Sequence, residues 1–178
     1  MYNNNFPYGG PNHAHTPRPY FMPPHPHWFN PPANYPANQN QFIILKDYGP
    51  SPFVVNIREA ARQNTNFRTT LWTGGHFQIT LMTIRVGEDI GLEMHPNVDQ
   101  FIRVEEGVGI VRMGDSRDRV DFQCKVSDGS AIVIPAGKWH NLINTGYRPL
   151  KLYSIYAPPE HPYGTVHVTK QEAEDHHL

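Results

Sequence analysis

From residue 41 onward the apolar positions fall into short runs broken by Gly, Pro, Asn and Asp. This pattern predicts strands at about 67–72, 76–86, 91–95, 99–105, 108–113, 119–127, 130–134, 139–143 and 150–157. Turn signals separate them, among them Thr73-Gly-Gly75, Gly114-Asp-Ser116, Asp128-Gly129 and Thr145-Gly146. Many short strands at this spacing imply an all-β sandwich or barrel. In Val120-Asp-Phe-Gln-Cys-Lys-Val126 apolar and polar side chains alternate, so that strand is expected to bury one face and wet the other. A single short helix is predicted from Asn56-Ile-Arg-Glu59 to about Gln63, with the Asn side chain on an early amide and Glu59 reaching back. The chain shows no internal repeat, which implies one barrel and not a tandem pair.

The first forty residues differ in texture. They hold ten of the eighteen prolines, eight asparagines, four histidines and eight aromatic residues, and Arg18 is their only charged side chain. Proline removes backbone donors, and so few aliphatic side chains cannot offset the entropy of ordering, so an extended low-complexity tail is expected over 1–40. Interleaved Tyr, Phe and Trp with Asn and almost no repelling charge make such a tail prone to associate with a partner in an assembly. The pairs His13/His15 and His25/His27 could hold a metal only weakly, because nothing in a tail fixes their geometry. The organisation expected is thus a tail over 1–40, one domain over 41–170 and a polar C-terminal tail over 171–178.

Charge and cysteine narrow the function classes. Fifteen basic against sixteen acidic residues leave a net charge of -1, which gives no footprint for nucleic acid or an anionic membrane. Cys124 is the only cysteine, excluding an intrachain disulfide and any thiolate-rich metal site. Residues 1–30 lack the basic start and apolar run of a signal peptide, and no stretch is apolar over the ~20 residues of a membrane span, so a cytoplasmic protein is expected.

Two segments carry candidate chemistry. Residues 129–144 resemble the second cupin motif, G-x5-P-x-G-x2-H-x3-N, through Gly129, Pro135, Gly137, His140 and Asn144. An apolar strand is stopped by a proline, a glycine allows the turn, and the next strand opens with a histidine. Residues 87–107 resemble the first cupin motif, G-x5-H-x-H-x3,4-E-x6-G, at every spacing but with two changed residue types: Glu93 stands where the family usually has histidine, and Gln100 where it has glutamate. His95 and Gly107 are retained, and Asp99 is one residue out of register with Gly107. Carried onto this chain, the motifs imply a metal site of Glu93, His95, Gln100 and His140. One carboxylate, one amide oxygen and two imidazoles suit one divalent transition metal, Mn, Fe, Zn, Ni or Co, with positions left for water or substrate.

Over roughly 45–170 the chain is similar to single-domain bacterial cupins likened to mannose-6-phosphate isomerase. The likeness rests on Gly91-Leu-Glu-Met-His95, Asp99-Gln-Phe101, Ile134-Pro-Ala-Gly-Lys-Trp-His140 and Leu152-Tyr-Ser-Ile-Tyr-Ala-Pro-Pro-Glu160. It implies a double-stranded β-helix, a jelly roll that usually pairs as a homodimer, and a metal-dependent enzyme on a small polar substrate such as a sugar phosphate; the zinc site of mannose-6-phosphate isomerases also uses Gln, His, Glu and His. The catalytic base is unassigned, with Glu105, Glu106, Lys125, Lys151, Tyr153, Tyr156 and His76 all able in chemistry. Two other classes stand beside this one: an iron- or manganese-dependent dioxygenase, and a non-catalytic assembly protein whose tail resembles the ends of spore-coat proteins. The cupin fold by itself does not fix a reaction.

Overall fold

The computed structural model describes residues 42–175. The tail expected over 1–40, its histidine pairs and residues 176–178 lie outside the described residues. Two antiparallel sheets make up the domain. The larger contains β1 (Arg68–Thr73), β2 (Gln78–Ile84), β3 (Asp99–Glu106), β6 (Ala131–Ile134), β8 (Leu150–Ala157) and β9 (Val166–His167), in the order β6-β3-β8-β2-β1-β9. The smaller contains β4 (Val108–Gly114), β5 (Phe122–Ser127) and β7 (Trp139–Asn144), in the order β5-β4-β7. This is the all-β jelly roll expected.

Period-two alternation decides what each strand buries. Along β8, Leu150, Leu152, Ser154 and Tyr156 are buried between the sheets, whereas Lys151, Tyr153 and Ile155 are only half-buried. The pairing register sets Val104 opposite Leu152 and Leu152 opposite Met82, and Gln100 opposite Tyr156 and Tyr156 opposite Gln78. The interior therefore has an apolar end and a polar end. Ile84, Leu142, Leu150 and Leu152, all fully buried, anchor the apolar end, each contributing about 1.5–3 kcal/mol. A second cluster lies around Leu71 and Leu81, where Ala60 and Ala61 of α1 (Ile57–Gln63) and the extended segment 43–55 cover the larger sheet.

Helix α1 begins as expected, with Asn56 Oδ1 accepting from the Glu59 amide at 3.3 Å, but Glu59 turns to Arg62 instead of reaching back. Three expectations need correction, and one strand went unpredicted. Residues 91–95 form no strand: Asp89 Oδ1 accepts from the Gly91 amide, and the segment meets β7 only through isolated bridges. Strand β5 wets nearly all of both faces, since it is a sheet edge and only Val126 reaches the core; Phe122 and Cys124 are exposed. Strand β9 adds pairing that its two residues were too short to signal. The polar tail expected over 171–178 in fact enters α2 (Lys170–Asp175): Thr169 Oγ1 accepts from the Glu172 amide, Glu172 Oε2 accepts from the Val168 amide, and Ala173 is buried. Thr169-x-x-Glu172 is a helix-start signal the strand pattern hid.

Asp47 latches the segment before α1 onto the sheet. Its carboxylate accepts from Thr73 Oγ1 at 2.6 Å and from the amides of Gly49 at 3.0 Å and Gly164 at 3.1 Å. Burial pushes its pKa up, but these hydrogen bonds outweigh burial and hold it below 3.8. A depressed carboxylate pKa stabilises the fold above the unfolded value, and that contribution is lost as pH falls through the folded value. Asp47→Asn is therefore expected to cost about 2 kcal/mol at pH 7, a Tm drop of roughly 6–10 °C in thermal melts. The gap from wild type should narrow as pH falls below 3.8.

Candidate metal centre

The first- and second-motif segments are held together by backbone. Glu93 and His140 form an antiparallel bridge, the Glu93 amide donating to the His140 carbonyl at 3.0 Å and the His140 amide to the Glu93 carbonyl at 2.9 Å. Directly opposed residues of such a bridge share a face, which brings both side chains together at the polar end of the interior. The Gly137 amide donates to the His95 carbonyl at 2.8 Å, tying the second-motif turn to the other imidazole. Asn144 is a staple: its Nδ2 donates to the Ile84 and Arg148 carbonyls and its Oδ1 accepts from the Gly146 amide. Asp99 is exposed and accepts from the Ala136 amide at 2.9 Å, so it serves the same turn.

Ligand-capable atoms of Glu93, His95 and His140 lie within 4.8 Å of one another. Glu93 Oε1 is 3.4 Å from His140 Nε2 and 3.5 Å from His95 Nε2. The other ring nitrogens are engaged: His140 Nδ1 faces the Lys138 carbonyl and His95 Nδ1 faces Glu160 Oε1, each at 3.0 Å. Both partners only accept, so each Nδ1 carries the proton and each Nε2 keeps a lone pair. Gln100, on β3, donates through Nε2 to Ser154 Oγ at 3.0 Å, which leaves its amide oxygen over.

As a result Glu93 Oε1, His95 Nε2, Gln100 Oε1 and His140 Nε2 are all buried without a hydrogen-bond partner. Buried lone pairs left unsatisfied are costly, and a divalent cation is what this donor set would satisfy. Burial pushes the Glu93 carboxyl up, yet the adjacent His140 and His95 imidazoles and the charge of Arg68 hold it far below the usual carboxylate range. Burial pushes His95 down, but Glu93 and Glu160 more than reverse this and raise its pKa. Glu93 is thus the one ionised donor among the four.

Of the residues named as bases, only Tyr156 adjoins this site, its ring edge-on to His95 with centroids 5.7 Å apart. Lys151 donates to the Asn64 carbonyl, Glu105 pairs with Arg103, Lys125 is exposed on β5, Tyr153 packs in the outer cluster and His76 is exposed in a turn. Two residues were not singled out from the sequence: Glu160, which orients His95, and Arg68, buried beside Glu93. Glu160 lies 65 residues from its partner, and Arg68 reads as an ordinary strand cation, so neither gave a local signal.

The family model described as Cupin domain matches residues 80–156. Uncharacterized protein YrkC of Bacillus subtilis (strain 168) is 67% identical over 135 residues, 76% of this chain and 73% of that protein. Uncharacterized protein L612 of Acanthamoeba polyphaga mimivirus is 38% identical over 138 residues, 77% of this chain and 78% of that one. The crystal structure of BH2720 from Bacillus halodurans covers 73% of this chain and 98% of its own, at 63% identity and a TM-score of 0.73.

Proposed function

The chain belongs to the cupin family, and on that premise we propose that it binds one divalent transition-metal ion through Glu93, His95, Gln100 and His140 and acts as a metal-dependent enzyme on a small polar substrate. The observation that carries this reading is the set of four buried, partnerless donor atoms. Gln100 is included because its Nε2 is committed to Ser154, leaving Oε1 as the free end. Such an ion, Mn, Fe, Zn, Ni or Co, would supply Lewis-acid polarisation of a substrate oxygen. Glu160 fixes the tautomer and plane of His95, as outer carboxylates do for ligating imidazoles. Burial raises the Tyr156 pKa, so its phenol stays protonated and can donate to an oxygen that gains charge. The finer reading, isomerisation of a sugar phosphate, draws its support from the motif resemblance. Against a phosphate, Arg68 is the only Lys or Arg side chain buried among the described residues.

Elemental analysis of purified protein tests the proposal: about one transition-metal ion per chain is expected. Glu160→Gln should bind it roughly 10–100-fold more weakly in a competition titration, with the fold unchanged. A wild type that takes up none of the five metals would overturn the reading.

A second reading, an assembly role with or without metal, is favoured by the composition of residues 1–40. It places the protein in the cytoplasm or, through that tail, in a spore coat; among the described residues no helix is long and apolar enough to cross a membrane. We propose a homodimer or higher homo-oligomer, supported by an apolar groove of about 470 Å³ on the larger sheet that Phe53, Trp72, Phe77 and Ile155 help line. Deleting residues 1–40 is expected to abolish localisation to an assembly while leaving metal content intact; unchanged localisation and self-association would remove this reading.

A further inference from the structure

Arg68 is the feature that the metal site alone does not use. It starts from the apolar end of the interior, opposite Met82, and is 2% exposed. Its guanidinium nevertheless reaches the polar end, where its charge acts on both Glu93 and Tyr156. Nε and Nη1 are buried without hydrogen-bond partners, and so is the Tyr156 hydroxyl, although Arg68 and Ser154 are close enough to favour its phenolate. No carboxylate among the described residues lies within ion-pair distance of Arg68. A buried cation with idle donors is expensive unless something anionic completes it. Glu93 and Arg68 cancel in charge, so a bound divalent ion leaves an excess of two positive charges, offset in part by Glu160, whose side chain is 26% exposed.

We infer that Arg68 recognises the acid group of the substrate, and that the substrate is a small carboxylate with a carbonyl or hydroxyl oxygen on the neighbouring carbon. This rests on the metal-centre reading above. The neighbouring oxygen goes to the metal and the carboxylate to Arg68, with Tyr156 donating between them. The Tyr156 ring stands edge-on to His95 with centroids 5.7 Å apart, and its hydroxyl adjoins Arg68, so the phenol links the guanidinium to the ligand atoms and a small acid can engage both.

Calorimetric titration of the Mn(II)-loaded full chain separates the outcomes. Pyruvate and lactate are expected to bind, and their uncharged amides to bind at least about 30-fold more weakly, since charge-assisted hydrogen bonds are the strong ones. Arg68→Met should weaken both acids about 10–100-fold with amide binding and manganese content unchanged, and Arg68→Lys should recover part of the loss. The acid-against-amide comparison needs no variant and decides the matter if Arg68→Met does not fold. The inference is overturned if acids and amides bind alike, if neither binds the manganese-loaded protein, if inorganic phosphate binds tighter than either acid, or if Arg68→Met binds the acids as wild type does. A chain that takes up no manganese sinks the metal centre itself, a separate failure.

Discussion

His140→Ala is expected to fold like wild type and to purify without metal. The imidazole stands on β7, 1% exposed, with Nδ1 fixed on the Lys138 carbonyl and Nε2 free. Removing it deletes one of two nitrogen donors and leaves Glu93, His95 and Gln100, a set too weak to hold a transition metal through purification. The expected loss of affinity exceeds the 10–100-fold typical of an outer partner. It is read as metal per chain, and independently as melting temperature. A ligand at about 100 times its Kd stabilises by about 2.7 kcal/mol, so wild type should gain roughly 10 °C on adding manganese where the variant gains almost nothing. Exposed His76→Ala is the control that should keep the full response. A His140→Ala protein with undiminished metal and the same thermal gain would show that the ligand set is wrong.

Gly107→Ala is expected to be strongly destabilising. Gly107 closes the first motif with φ +96, and a Cβ there would lie 2.9 Å from the Pro149 carbonyl oxygen and 3.0 Å from Leu150 Cα, both backbone atoms. Left-handed strain costs of order 1–3 kcal/mol and the enforced backbone shift a further 1–3, so a loss of roughly 3–5 kcal/mol and a Tm drop of about 10–20 °C follow. Gly137, in the second motif, has φ +79 but nothing within 4 Å of the added atom. Gly137→Ala should therefore cost only about 1–2 kcal/mol. Equal losses in the two variants, measured by urea or thermal unfolding, would refute the packing half of this account.

These glycines illustrate how unevenly the sequence could be read. Both follow from motif spacing, yet only the meeting of the turn at Gly107 with the start of β8 distinguishes a crowded position from an open one. The same holds for strands. The stretches at 99–105, 108–113, 130–134, 139–143 and 150–157 were legible because alternation and turn residues act locally. Residues 91–95 read as a strand from the pattern of short apolar runs, but Asp89 folds back on the Gly91 amide and the ladder is reduced to one bridge at Glu93.

At the site, the resemblance to the two cupin motifs singled out Glu93, His95 and His140, whose donor atoms the fold brings together, and Gln100, whose idle oxygen is buried on the strand position paired with Tyr156. Local chemistry also determined α1, through the Asn56 cap. Only the tertiary structure decided that Glu160 holds His95, that Arg68 runs inward instead of into solvent, that Tyr156 is the one candidate base beside the ligands, and that β5 has almost no buried face. The division has one physical cause. Strand period, turns and caps depend on neighbours a few residues away, whereas which side chains share the interior depends on sheet order and register, set by pairings between segments tens of residues apart.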